Sequence, residues 1–344
     1  MSTRRRNIAV AVSLKRVSDQ VLVITGATSG IGLATALAAA EDGARLVLTA
    51  RDKDALANVA DRVEAKGGEV TYVAADVADR HELQAVAVAA IARFGGFDTW
   101  INNAGISIWG RLEEVSEEDS RRLFDTNFWG VVHGSLIAAA HLKNKGGAII
   151  NLGSVASDIG LPLQGMYSAS KHAVKGFSDA LRVELEKDGA PVSVTLIKPT
   201  SIDTPFPQHA KNYTGQEAKL PPPVYAPEEV ANAILHAAEE PVRDIYVGSA
   251  AKFMAAAGYY APRTMDWLSQ KLADQEIQKG VPAANPHGAF DRPRQDGRVR
   301  GRHPGMVRNM SLYTRASLHP LATAGLVLAG VIALGGALRT SRER

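Results

Sequence analysis

Tyr167 and Lys171 stand four residues apart in the segment MYSASK. On a helix, positions i and i+4 share a face one turn apart, which sets an ammonium beside a phenol. A free phenol has a pKa of about 10 and is almost never an anion at neutral pH. A neighbouring cation favours the phenolate, and bringing the pKa near 7 corresponds to roughly 4 kcal/mol. A phenol tuned in this way passes a proton to or from an alcohol or carbonyl oxygen. The spacing also arises by chance, and a Lys–Tyr pair on an exposed helix is usually only a surface contact, so the chemistry needs partners. Ser154 lies 13 residues before Tyr167, at the end of an expected strand, where α/β sites form. Its hydroxyl can donate to a substrate oxygen, although loop hydrogen bonding is the commoner fate of a serine.

The elements that must position these groups follow from hydropathy. VLVIT (21–25), ARLVLTA (44–50), EVTYVAAD (69–76), DTWINNAG (98–105), GAIINLGS (147–154), VSVTLIKP (192–199) and DIYVG (244–248) read as strands. Helical stretches lie between them, at 31–41, 52–66, 79–93, 117–143, around Tyr167 and at 228–240. Continuous apolar strands alternating with helices predict a parallel sheet covered on both faces. Right-handed crossovers make it a Rossmann-like, doubly wound α/β fold, here spanning 18–250 with a C-terminal extension.

The first strand runs into TGATSGIG, whose turn carries Gly26, Ser29, Gly30, Ile31 and Gly32. Glycine lets backbone approach a pyrophosphate, and the helix that follows offers free N–H groups and a positive dipole end. A strand–turn–helix context of this kind predicts nucleotide binding.

The motifs TGxxxGxG, NNAG at 102–105, Ser154, YxxxK at 167–171 and the Pro-containing strand end at 199–204 occur in register. Over about 18–250 the chain thereby resembles the short-chain dehydrogenase/reductase family, in its compact single-domain branch. The resemblance implies a catalytic set of Asn127, Ser154, Tyr167 and Lys171. In it Ser154 orients substrate, Lys171 also binds the nicotinamide ribose, and Asn127 holds a water that links the lysine to solvent. It implies that Asp76 holds the adenine ring. Asn103, Ala104 and Gly105 support the sheet and line the cofactor, and Pro199, Ile202 and Thr204 approach the nicotinamide. A homo-oligomer is likewise implied. One departure is that Thr200 follows Pro199 where the family has glycine.

A carboxylate at the end of the second strand would bind a ribose 2′-OH and repel a 2′-phosphate. Ala50 and Arg51 stand there instead, and a guanidinium suits a phosphate, so NADP(H) is expected over NAD(H). The expected reaction is reversible hydride transfer between nicotinamide and a carbonyl or secondary alcohol, with Tyr167 as general acid/base. Trp109, Leu161, Leu163, Met166, Phe206 and Tyr213 are candidate walls for an apolar substrate. Two other functions remain open at this point. One is a nucleotide-sensing protein on the same fold, which need not keep Ser154, Tyr167 and Lys171. The other is a sugar-nucleotide epimerase or dehydratase, whose GxxGxxG spacing differs.

The 344 residues contain no cysteine, which excludes disulfides, thiolate catalysis and Cys-based metal centres. The histidines form no HExxH-type pair, so no metal is expected. A net charge of +3 does not suggest nucleic acid. Residues 1–17 read as an N-terminal arm. A secretory signal is disfavoured because the apolar run from Ile8 to Leu14 is short and no small-residue cleavage site follows. Residues 251–319 read as a partly disordered basic linker, with seven arginines against two aspartates between Asp291 and Arg315. The uncharged stretch 320–338 is a possible membrane helix: its 18 residues from Leu321 to Leu338 reach about 27 Å as a helix, near the roughly 30 Å hydrocarbon core. The catalytic domain is expected in the cytoplasm.

Overall fold

The structure, a computed structural model, describes residues 12–273, 275–293, 297–320 and 323–325. Seven parallel strands form the central sheet: β1 (Val21–Thr25), β2 (Arg45–Ala50), β3 (Val70–Ala74), β4 (Thr99–Asn102), β5 (Gly147–Leu152), β6 (Val192–Pro199) and β7 (Asp244–Val247), in the order β7-β6-β5-β4-β1-β2-β3. Strands β1, β4, β5 and β6 are buried along their whole length, as their unbroken apolar runs require of a sheet covered on both faces.

The covering helices are α1 (Gly30–Glu41), α2 (Lys53–Glu64), α3 (Arg80–Phe94), α4 (Glu117–Phe124), α5 (Gly130–Leu142), α6 (Gly165–Lys187) and α7 (Pro227–Glu239). One core cluster joins α1, α2 and α7 to the sheet, and another joins α3, α5 and α6 to its other face. The expected single helix over 117–143 is instead α4 and α5 joined by a π-helical turn, Asp125–Trp129. Two contacts account for the break. The Asn127 side chain is held by the backbone of Ile106. A Cβ on Gly130 would lie 2.7 Å from Val77 Cγ2, so the chain comes too close there for any other residue.

The C-terminal extension is folded onto the sheet domain and does not form a free basic linker. Helices α8 (Ser249–Tyr260) and α9 (Pro262–Ala273) follow β7 directly, and α10 (Leu312–Leu318) packs on the β7 edge. Ile277–Pro282 pairs antiparallel with Gln216–Ala218, and Val307–Arg308 pairs parallel with Val224–Tyr225. Phe290, Glu276 and Thr314 are buried. The docking runs largely through main-chain groups, as in Ala226 N to Arg308 O and Gly301 N to Asp203 O, which leave no side-chain periodicity. At the other end, the N-terminal arm is docked too: Leu14 packs on the core, Lys15 pairs with Asp98 at 2.8 Å, and Val17 N donates to Glu239.

Of the apolar stretch 320–338, only 320 and 323–325 are among the described residues, so the expected membrane segment lies outside them. Among the described residues, no helix is long and apolar enough to cross a membrane.

Candidate active site

All seven strands end at one edge of the sheet, and a continuous cleft runs along that edge from the glycine turn to Tyr167. The turn is shaped by exclusion. Gly26 has φ +65°, and a Cβ there would lie 2.9 Å from Ala104 Cα. A Cβ on Gly32 would lie 2.2 Å from Gly26 O and 2.5 Å from Asn103 Nδ2. Gly32 therefore does not line the cleft; it lets α1 close onto the turn. Asn103 ties that turn to β4, donating from Nδ2 to Thr25 O at 2.9 Å. The Thr25 hydroxyl accepts from the N–H groups of Asn103 and Ala104.

Gly26, Ser29, Gly30 and Ile31 line the first half of the cleft, with Arg51, Asp76, Asn103, Ala104 and Gly105. Asp76 is held by Arg122 and by the N–H of Ala78. Pro199, Ile202 and Thr204 line the far wall, and Thr204 packs where a Cβ on Gly30 would lie 3.2 Å away. Thr200 fits despite its side chain because Gly248 has none: a Cβ there would come within 2.4 Å of Thr200 Cγ2.

The residues present fit a dinucleotide. Ser29 caps α1 by position with no side-chain bond of its own, and the buried Thr126 hydroxyl on the cleft has no partner among the described residues. The N-terminal end of α1, with its positive dipole end, suits a pyrophosphate. Two of these donors are engaged by the extension: Gly30 N donates to Arg298 O at 2.9 Å, and Arg51 donates to the carbonyls of Ala289 and Phe290.

At the inner end lie Ser154, Tyr167 and Lys171, all buried. Helix α6 begins at Gly165 and presents Tyr167 and Lys171 on one face, as their spacing predicts. Lys171 Nζ donates to Leu152 O at 2.7 Å and lies 5.7 Å from the Tyr167 ring centroid. Burial pushes the Tyr167 phenol up to about 12, against the pull of the nearby Ser154 hydroxyl. Burial also brings the Lys171 ammonium down to about 8.

In the protein alone the loss of water dominates the Tyr167 shift, whose upward direction is opposite to the acidification expected from Lys171. Tyr167 is a neutral phenol here, in the form that can donate a proton. The Ser154 hydroxyl also accepts from Ala156 N at 3.1 Å, so it caps a short turn as well as facing the cleft.

Asn127 does not line the cleft. Its Nδ2 donates to Ile106 O at 2.9 Å and to Ser170 Oγ at 3.2 Å, and its Oδ1 accepts from Ile106 N at 2.8 Å. Ser170 Oγ in turn donates to Tyr167 O, so Asn127 clamps the start of α6 against the strand-end loop. Of the expected walls, Trp109, Leu161 and Phe206 line the cleft. Leu163, Met166 and Tyr213 do not; Tyr213 is turned to Asp119, its hydroxyl donating to that carboxylate. The sequence reading missed Gln164, His209, Met254, Glu276 and Ala289, which complete the cleft. None stands in a motif, and three come from beyond residue 250.

The short chain dehydrogenase family model matches residues 20–214. The oxidoreductase YxnA of Bacillus subtilis (strain 168) is 42% identical, the match covering 96% of this chain and 94% of that protein. A short chain dehydrogenase/reductase from Burkholderia phymatum in complex with NAD superposes with a TM-score of 0.64 at 29% identity, covering 74% of this chain and 96% of that one. A short chain dehydrogenase from Burkholderia cenocepacia J2315 in complex with NADP gives 0.63 at 26% identity, covering 74% and 99%.

Proposed function

Because the chain belongs to the short-chain dehydrogenase/reductase family of oxidoreductases, we propose that it transfers hydride reversibly between NADP(H) and the carbonyl or secondary-alcohol carbon of an apolar substrate. The observation that carries this reading is the inner end of the cleft, where Tyr167 faces the Ser154 hydroxyl with Lys171 on the same helix face. Nicotinamide, when bound, supplies or accepts the hydride. Ser154 orients the substrate oxygen and steadies the charge that develops on it. In reduction, Tyr167 gives its proton to that oxygen; in oxidation, its phenolate takes the proton of the alcohol. Lys171, held by Leu152 O, keeps its charge near the ring and would bind the nicotinamide ribose.

Arg51 on the cleft and the absence of a carboxylate at position 50 support NADP(H). A protein that only senses nucleotide has no use for the Ser154–Tyr167–Lys171 set. The test is Tyr167→Phe with a panel of ketones and secondary alcohols. Cofactor affinity is expected to be kept while kcat falls about 100-fold or more, the usual contribution of a positioned acid or base. A fully active variant would sink the mechanism.

A further inference from the structure

The cleft holds one buried carboxyl that the proton chemistry does not use. Glu276 is 1% exposed and lines the same cavity as Ser154 and Tyr167. Among the described residues no cation pairs with it. Gln164, three residues before Tyr167, donates to its Oε2 at 3.2 Å. The Gln164 carbonyl oxygen accepts from Ser107 Oγ at 3.4 Å, which fixes the amide with its N–H side toward the carboxyl. The backbone around Glu276 is pinned too: Lys219 N donates to its carbonyl at 2.8 Å.

Another residue of the cleft wall carries a second buried polar atom. Trp109 is 1% exposed and lines the cleft, and its Nε1–H has no partner among the described residues. It packs in one cluster with Ala218, and Ala218 is the strand partner of Ile277, the residue after Glu276. A buried carboxyl with one anchored oxygen and a buried N–H with nothing to meet are both disfavoured unless a ligand completes them. The walls beside them, Leu161, Phe206, Met254 and Pro221, are apolar.

We propose that Glu276 is a substrate-recognition residue, accepting a hydrogen bond from a hydroxyl that an otherwise apolar ketone or secondary alcohol carries away from its reacting carbon. This rests on the oxidoreductase reading above. A hydroxyl fits because it can donate to the Glu276 carboxylate and accept from its carboxylic acid form. Burial, which raises the Glu276 carboxyl to about 7, agrees with a group held ready for a ligand in a dry slot.

The experiment compares a decalone with the same decalone bearing a hydroxyl on its distal ring. Turnover is measured with saturating cofactor, and calorimetric binding is measured on the cofactor-loaded Tyr167→Phe protein. Glu276 intact should favour the hydroxylated compound at least tenfold, in KM and in affinity. Glu276→Leu should erase that preference while kcat for the plain decalone stays within a few-fold, and Glu276→Gln should restore part of it. No preference in the wild type, a preference that survives Glu276→Leu, or equal losses on both compounds would overturn the proposal. Calorimetry needs no reaction. Absent turnover with discrimination intact would count against the oxidoreductase reading, and turnover without discrimination would count against Glu276.

Discussion

Arg51→Ala tests how the protein chooses its cofactor. The guanidinium follows β2 and donates to Phe290 O at 3.0 Å and to Ala289 O. Burial lowers its pKa from the ordinary value, partly offset by Asp76, and an arginine so shifted is still a cation at neutral pH. A ribose 2′-phosphate at this position would replace neutral carbonyl acceptors with charged oxygens, and charge-assisted bonds of this kind are roughly twice as strong as neutral ones. The net advantage over a 2′-OH is about 2 kcal/mol, or roughly 30-fold. The assay is kcat/KM for NADPH and NADH at low ionic strength, in the wild type and in Arg51→Ala. The ratio should fall by about that factor in the variant, chiefly through NADPH. The same change removes the clasp on the 289–290 backbone, so trypsin should cut the neighbouring arginine-rich segment faster in the ligand-free variant. A wild-type preference for NADH that Arg51→Ala leaves unchanged would refute the reasoning.

Two further outcomes follow from packing and burial. Gly32→Ala places a Cβ 2.2 Å from the Gly26 carbonyl, a backbone atom with little room to move, so urea denaturation should show a loss of about 2 kcal/mol or more together with weaker cofactor binding; an unchanged midpoint would contradict the turn geometry. Glu276 has its folded pKa raised from the usual 4.5 to about 7, so the folded state holds this proton more tightly than the unfolded chain does. The wild type should therefore lose about 3 kcal/mol of stability from this group as pH rises from about 4.5 through 7. Glu276→Gln removes that dependence, so its melting temperature should gain on the wild type between pH 5 and pH 8, and parallel curves would show that the carboxyl is not buried as described.

The sheet and the gathering of Ser154, Tyr167 and Lys171 at one end of the cleft were legible in the sequence because their signals are local. Unbroken apolar runs mark strands covered on both faces, and a strand end followed by Gly26, Gly30 and Gly32 marks the turn. A four-residue spacing on α6 puts Tyr167 and Lys171 together. What escaped depends on contacts distant in sequence. The π-helical turn at Asp125–Trp129 interrupts a stretch whose pattern is helical throughout, and only Ile106 and Val77 explain it. The sign of the Tyr167 shift depends on burial, which the i+4 spacing does not encode. Leu163, Met166 and Tyr213 were candidates by residue type, yet they do not line the cleft. The extension was misjudged because main-chain pairing with Gln216–Ala218 and Val224–Tyr225 leaves arginine-rich side chains in water, so its composition resembles that of an unfolded linker.

The extension is more than a cover for the sheet domain. Phe290 is fully buried in the same apolar cluster as Tyr167, so it helps exclude the water whose absence keeps the phenol neutral. The carbonyls of Ala289, Phe290 and Arg298 meet donors of the glycine turn and of Arg51, while Glu276 lies at the Tyr167 end of the cleft. The residues proposed for proton transfer thus come from the end of β5 and from α6, within the region that the family model matches, and the chain beyond residue 250 lies around them. Substitutions in the extension should therefore change which cofactor and which substrate are taken, and the protonation of Tyr167. Substitutions at Ser154, Tyr167 or Lys171 should change the rate for every substrate alike.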